Sequence, residues 1–151
     1  MVASPFGRYG LGLWRFTSES VDDASRLIAA AVDVGITLLD NAAVYGRNWG
    51  GKGFGAAEEL LGAVLARTPA LRDKVCVATK GGITPGIPYD QSPATLRREC
   101  EDSLRRLRLE RIDLYCCNEI RTSTNEADIQ KSHGDFEIHF CDIADLCPRT
   151  N

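Results

Sequence analysis

Short apolar runs alternate with helical patterns along the first 115 residues of this 151-residue chain. The strand candidates are residues 9–16, 36–43, 74–79 and 111–115. Helical patterns lie between them, at about residues 20–35, 56–67 and 92–107. Strands that alternate with helices in this way are typical of βαβ units, in which the strands form a parallel sheet. We therefore predict an α/β fold with about four parallel strands and three helices.

The third helical pattern separates apolar residues from charged ones. Ser92 followed by Pro93 predicts its start, because proline at the first helical position loses no hydrogen bond. The predicted buried stripe consists of Leu96, Cys100, Leu104 and Leu107. The arginines that fall on other faces, and that we expect on a solvated surface, are Arg97, Arg98, Arg105 and Arg106.

Charge and hydropathy exclude some classes of partner. The formal net charge is -3, and no basic run is long enough to follow a phosphate backbone, so nucleic acid is not a predicted partner. No segment approaches the roughly 20 apolar residues of a membrane span, and residues 1–9 contain no apolar stretch of signal-peptide length. We predict a soluble, cytoplasmic protein.

The composition changes at about Cys116. Residues 116–151 hold seven acidic residues against three basic ones, and four of the six cysteines of the chain. Their apolar residues do not recur at helical spacing. We therefore expect an N-terminal unit of residues 1–115, followed by a divergent tail that is irregular or disordered.

Three polar side chains end or follow neighbouring strands. Asp40 and Tyr45 lie at and just after the end of the second predicted strand, and Lys80 comes directly after the third. The carboxyl ends of parallel strands meet at one edge of a sheet, so we expect these side chains to converge. An ordinary strand-end ion pair would explain each of them singly.

The three residue types together suit proton transfer. A phenol titrates near pH 10, so an unassisted tyrosine donates a proton slowly at neutral pH. A nearby ammonium favours the phenolate, and a carboxylate can hold and polarise the ammonium. Asp40, Lys80 and Tyr45 would therefore serve a carbonyl that gains a hydride on carbon and needs a proton on oxygen.

The motifs around these residues resemble those of the aldo-keto reductase family. Residues 40–46 read D-N-A-A-V-Y-G, with Asn41 where threonine or serine is usual in that family. The segments that extend the resemblance, in the same order, are G-A-A-E-E-L-L-G at 55–62, Thr79-Lys80, the helix at 97–107 and R-I-D-L-Y at 111–115. The resemblance covers about three quarters of the chain.

This resemblance implies part of a (β/α)₈ TIM barrel that reduces an aldehyde or ketone with NADPH or NADH. By position, Tyr45 would be the general acid, Lys80 the cation that modulates its pKa, and Asp40 the partner of Lys80. The positions implied near the nicotinamide and the small carbonyl substrate are Gly12, Leu13 and Trp14, together with Asp40.

The sequence also departs from the family pattern. The family usually carries a histidine two residues after D-L-Y, and Asn118 occupies that place here. A (β/α)₈ barrel takes about 250 residues, so we expect four of eight strands and no loops from the later strands, which grip the cofactor in this family. We predict an inactive or impaired, truncated enzyme that self-associates through open sheet edges.

Two alternatives stay open at this point, and a metal site is also weighed. The chain would be a non-catalytic fragment or an interaction module if the change at Cys116 reflects truncation or a shifted frame. Residues 46–52 fit the G-x-x-x-x-G-K core of a nucleotide-binding loop, although Gly53 follows where serine or threonine would bind Mg²⁺. No metal site is predicted, because the spacing of the candidate ligands fits no common zinc module. Those candidates are His133, His139, Cys141 and Cys147.

Overall fold

The computed structural model describes residues 8–86, 90 and 92–117, which form four strands and four helices. The strands are β1 (Gly10–Gly12), β2 (Leu38–Asp40), β3 (Cys76–Gly81) and β4 (Leu114–Cys117). The helices are α1 (Val21–Asp33), α2 (Ala56–Arg67), α3 (Pro69–Arg72) and α4 (Pro93–Leu107). The predicted alternation is confirmed, and α3 is a single turn that the sequence pattern did not indicate. The tail was predicted to begin at Cys116, but Cys116 and Cys117 pair with β3 as part of β4. The rest of the predicted tail, from residue 118 onward, lies outside the described residues.

All four strands are parallel and follow one another in the order β1-β2-β3-β4. The register pairs Leu11 with Leu39, Leu39 with Val77, and Thr79 with Tyr115. Strands that pair in chain order through helical connections are the repeating unit of a (β/α)₈ barrel. The described residues therefore form part of such a barrel, as predicted.

The core lies between the sheet and the helices. Its fully buried apolar side chains come from every layer and are Ile28, Leu39, Leu61, Val64, Val77, Leu107 and Tyr115. Serine side chains set the starts of two helices: Ser20 accepts a hydrogen bond from the Asp23 amide, and Ser92 from the Thr95 amide, each at 3.3 Å. No helix in the described part of the chain is long and apolar enough to cross a membrane.

Polar groups are buried between β3 and the helices α2 and α4. Glu58 on α2 accepts hydrogen bonds from Thr79 Oγ1 and Arg106 Nε, both at 2.6 Å. Glu58 is fully buried, and the Arg106 side chain is 18% exposed. The expectation of a solvated Arg106 was therefore wrong, because this arginine is the counter-ion of a buried carboxylate.

Candidate active site

The backbone after β2 continues alongside the end of β3. The amide of Asn41 donates to the Ala78 carbonyl at 2.9 Å, and the amide of Ala43 donates to the Lys80 carbonyl at 3.4 Å. The chain then tightens, since the Tyr45 amide donates to the Ala42 carbonyl at 3.0 Å. Tyr45, which lies outside any strand, is thereby brought beside the side chain of Lys80.

The Lys80 ammonium contacts three oxygen atoms. Its Nζ lies 2.5 Å from Asp40 Oδ1, 2.9 Å from the Asn41 carbonyl oxygen and 3.1 Å from Tyr45 Oη. An ammonium group has three N–H donors, and each has an acceptor here. The structure thus brings together the three side chains singled out in the sequence, around one cation.

The surroundings of Lys80 keep it charged. Burial by itself lowers the pKa of Lys80, but the hydrogen bond and negative charge of Asp40, followed by the interaction with Tyr45, outweigh it. The pKa of Lys80 is therefore raised above its ordinary value. At neutral pH the group is an ammonium that only donates hydrogen bonds.

Cys116 is a neighbour of this cluster that the sequence did not single out. It pairs with Lys80 in the register of β3 and β4. Burial raises the pKa of the Cys116 thiol, against the opposing effect of the Lys80 charge. The thiol is therefore neutral at physiological pH and does not compete with Asp40 for the ammonium.

An aromatic surface borders the cluster. The rings of Trp14 and Tyr45 are stacked with centroids 5.5 Å apart and an interplanar angle of 27°. Trp14 is 57% exposed, so one side of this pair is open to a ligand. Gly12 is exposed as well, and a Cβ added there would meet no atom within 4 Å.

Leu13 differs from its two neighbours. Its side chain is buried in the core, and its amide donates to the Asp40 carbonyl at 2.9 Å. Of the strand-one positions that the resemblance placed near a cofactor, Gly12 and Trp14 are exposed, and Trp14 stacks on Tyr45. Leu13 instead ties β1 to the strand that carries Asp40.

Asn41 contributes through its main chain, which no side-chain motif could have indicated. Its carbonyl is one of the three acceptors of Lys80, and its side chain is fully buried. Asn41 Oδ1 accepts from the Ala42 amide at 2.9 Å, which stabilises the turn toward Tyr45. Its Nδ2 has no hydrogen-bond partner within the described part of the chain.

The loop at residues 46–52 does not form a phosphate cradle. In such a cradle successive amides face the anion. Here the amides of Gly51, Gly53 and Gly55 donate to carbonyls of the same loop or of the preceding turn, at 3.2, 3.1 and 2.6 Å. Lys52 is exposed and precedes the first residue of α2 by four positions. This geometry does not favour the nucleotide-binding alternative.

The remaining candidates fall outside the described ranges. Residues 8–86, 90 and 92–117 contain no group of three or more His, Cys, Asp or Glu side chains placed to hold a metal ion. The four tail residues weighed as metal ligands lie beyond residue 117, as does Asn118.

Comparison with known proteins identifies the class that this fold and site define. The sequence profile of the aldo/keto reductase family matches residues 8–147, and the chain therefore belongs to that family. The predicted resemblance is confirmed, and the match runs past residue 115, where the motif-based resemblance ended. Members of the family generally use NAD(P)H and act on small carbonyl compounds.

Individual relatives are similar over most of this chain but are much longer. A 6-dehydroglucose reductase of Novosphingobium aromaticivorans is 51% identical over 106 residues, which are 69% of this chain and 34% of that protein. The glycerol dehydrogenase structure from Gluconobacter oxydans is 40% identical with a TM-score of 0.58, over 75% of this chain and 36% of that one. A holo-form aldo-keto reductase of Bacillus halodurans is 29% identical with a TM-score of 0.56, over 72% of this chain and 34% of that one. The chain thus spans about a third of these proteins.

Proposed function

We propose that Asp40, Tyr45 and Lys80 belong to an NAD(P)H-dependent carbonyl reduction site in which Tyr45 is the general acid. The observation that carries the proposal is the position of Lys80 Nζ, within hydrogen-bond distance of both Asp40 Oδ1 and Tyr45 Oη. A strand-end ion pair alone would need only Asp40 and Lys80. The Tyr45 phenol contacts the same ammonium, as a proton-donating tyrosine would.

Each of the three side chains has one task in this proposal. Tyr45 gives its proton to the carbonyl oxygen of the substrate, and Lys80 stabilises the phenolate that remains. Asp40 fixes the ammonium and balances its charge. A bound nicotinamide would supply the hydride to the carbonyl carbon.

The open surface beside Tyr45 fits a flat ring. Trp14 presents an exposed indole next to the Tyr45 phenol. Gly12 has no side chain, and no atom lies within 4 Å of its Cβ position. We assign these two residues, together with the partly exposed Asp40, to contact with the cofactor and substrate. Two points stay predictions from the sequence: that the cofactor is NADPH or NADH, and that the protein is cytoplasmic.

The names of two relatives suggest the class of substrate to test. One is a 6-dehydroglucose reductase and the other a glycerol dehydrogenase. We therefore propose a hydroxylated aldehyde or ketone as the substrate.

The length of the relatives bears on the activity to be expected of this chain. The chain spans 34% of the Novosphingobium relative, and by resemblance Asn118 stands where the family carries a histidine. We expect the 151-residue chain assayed alone to be impaired or inactive.

The test is a fluorescence titration with NADPH, followed by turnover of glyceraldehyde. Tyr45→Phe keeps the ring that stacks on Trp14 and removes only the hydroxyl. Tyr9→Phe, at an exposed tyrosine, is the matched control. Any turnover of the parent chain should fall about 10²-fold or more in Tyr45→Phe and persist in Tyr9→Phe, with NADPH binding unchanged in both. Turnover that survives in Tyr45→Phe would refute the assignment. A parent chain that binds NADPH without turnover matches the expected impairment, whereas one that does not bind NADPH would favour the non-catalytic alternative.

A further inference from the structure

One buried carboxylate holds the backbone that follows Lys80. Glu99 lies on α4 and is buried. Its Oε2 accepts from the Gly82 amide at 2.5 Å, and its Oε1 accepts from Thr84 Oγ1 at 2.6 Å. Both donors belong to the loop directly after β3, so one side chain of α4 fixes two points of the segment that follows the lysine.

The end of β3 also fits closely against its neighbours. A Cβ at Gly81 would overlap Tyr115 Oη and would stand 2.8 Å from Glu99 Oε2. Gly82 has a φ of 91°, a conformation that favours glycine, and its turn aims the amide at Glu99. The two glycines after Lys80 thus allow the strand end to approach α4 and β4.

The Tyr115 hydroxyl does not donate a hydrogen bond to the Glu99 carboxylate. Its ring is fully buried, and its hydroxyl has no hydrogen-bond partner within the described ranges. Burial, and then the negative charge nearby, raise the pKa of Tyr115, so it remains a neutral phenol. The hydrogen bonds that Glu99 accepts therefore come from the loop after Lys80.

We propose that Glu99 is a positioning residue for Lys80. Lysine has a long, flexible side chain, so the place of its ammonium depends on a fixed backbone at the strand end. Hydrogen bonds to an ionised, buried carboxylate are among the strongest available for fixing it. Glu99 acts on the proposed reaction only through Lys80, and its effect on turnover rests on the proposed function.

Competitive acetylation of lysines measures this positioning without requiring activity. The chain has four lysines, and the exposed Lys52 and Lys74 serve as internal references for Lys80. Sub-stoichiometric acetylation at about pH 8, read by peptide mass spectrometry, gives the labelling of Lys80 relative to those two. In the parent chain Lys80 should label far more slowly, because its ammonium is partly buried and has three acceptors.

Four variants separate positioning from general stability. Glu99→Gln should raise the relative labelling of Lys80 by about tenfold, the change that loss of one hydrogen bond to a charged group permits. Thr84→Val should raise it by less, and Thr84→Ser should restore the parent value because it keeps the hydroxyl. Glu101→Gln, at an exposed position on the same helix, should change nothing.

The outcomes are decisive in each case. A folded Glu99→Gln chain with parent-like labelling of Lys80 would overturn the proposal. If circular dichroism shows that Glu99→Gln does not fold, Thr84→Val decides by the same criterion. A protected Lys80 that is released in these variants supports the proposal whether or not the chain turns over, whereas turnover that survives in Tyr45→Phe counts only against the proposed function.

Discussion

Replacement of Arg106 by methionine should cost far more stability than the same replacement of its neighbour Arg105. Both arginines lie on α4 and both are paired with a carboxylate. Arg106 pairs with Glu58, which has no exposed surface. Arg105 pairs with Asp102 one turn away, and the side chains of Arg105 and Asp102 are 74% and 32% exposed. The two substitutions therefore differ in the burial of the acid that each one leaves behind.

The expected losses follow from that difference. Removing one partner of a buried ion pair costs about 3–5 kcal/mol, because the other charge stays buried. Thr79 still donates to Glu58, which places Arg106→Met near the lower end, at about 3 kcal/mol. An exposed pair is worth about 0–1 kcal/mol, so Arg105→Met should lose no more than that. Methionine preserves much of the aliphatic stem in both cases.

Urea unfolding followed by circular dichroism at neutral pH measures both free energies of unfolding. The double variant Glu58→Gln/Arg106→Met tests the cause directly, because it removes the buried charge that Arg106→Met leaves unpaired. It should be more stable than Arg106→Met alone by about 1 kcal/mol or more. Equal losses in the two arginine variants, or a double variant less stable than Arg106→Met, would refute the reasoning.

Two further predictions concern acid sensitivity and the sheet edges. Burial acts to raise the pKa of Asp113, but hydrogen bonds from Arg72 and the Val77 amide outweigh it and depress that pKa. Asp113 therefore stabilises the fold above the ordinary carboxyl pKa of about 4, and this contribution is lost as pH falls through the depressed value. Asp113→Asn should lower the free energy of unfolding by about 1–2 kcal/mol at neutral pH, and by progressively less as the pH falls through the depressed pKa, in urea titrations. A loss independent of pH would contradict this. We also propose self-association of the 151-residue chain, because β1 and β4 each lack a second neighbouring strand among residues 8–86, 90 and 92–117. Sedimentation over a range of concentrations checks this, and a monomer with a cooperative melt above about 60 °C would contradict it.

The sequence predicted the presence and order of the helices and strands better than it predicted where each of them ends. Helix α2 occupies the predicted residues 56–67, since its apolar spacing and the glycine before it are local signals. The first strand was predicted over residues 9–16 but pairs only over Gly10–Gly12. Its partner β2 has three residues, and after Leu13 the chain curls so that the Phe16 amide donates to the Leu13 carbonyl at 3.0 Å. A strand's length depends on its neighbour, which hydropathy in one segment does not report.

The candidate site was predictable to a similar degree. Asp40, Tyr45 and Lys80 could be placed together because strand ends of a parallel sheet converge. The third acceptor of Lys80 is the main-chain carbonyl of Asn41, which a motif of side chains cannot predict. The buried acids Glu58 and Glu99 were missed, because periodicity arguments assign charged residues to the solvated face. Their partners become visible only when α2 and α4 are packed on β3.

These two buried acids explain how a single strand both carries Lys80 and is held in place. Successive side chains of a strand point to opposite faces, so Thr79 and the Gly81 position face the helices while Lys80 faces the other side. Glu58 bonds Thr79 just before the lysine, and Glu99 bonds Gly82 just after it. An apolar layer would bury as much surface but would not set the strand's position along its own axis, because hydrophobic contact is non-directional. Directional bonds on both sides of Lys80, together with the ladders that pair β3 with β2 and β4, do set that position, and the distances from its ammonium to Asp40 and Tyr45 depend on it.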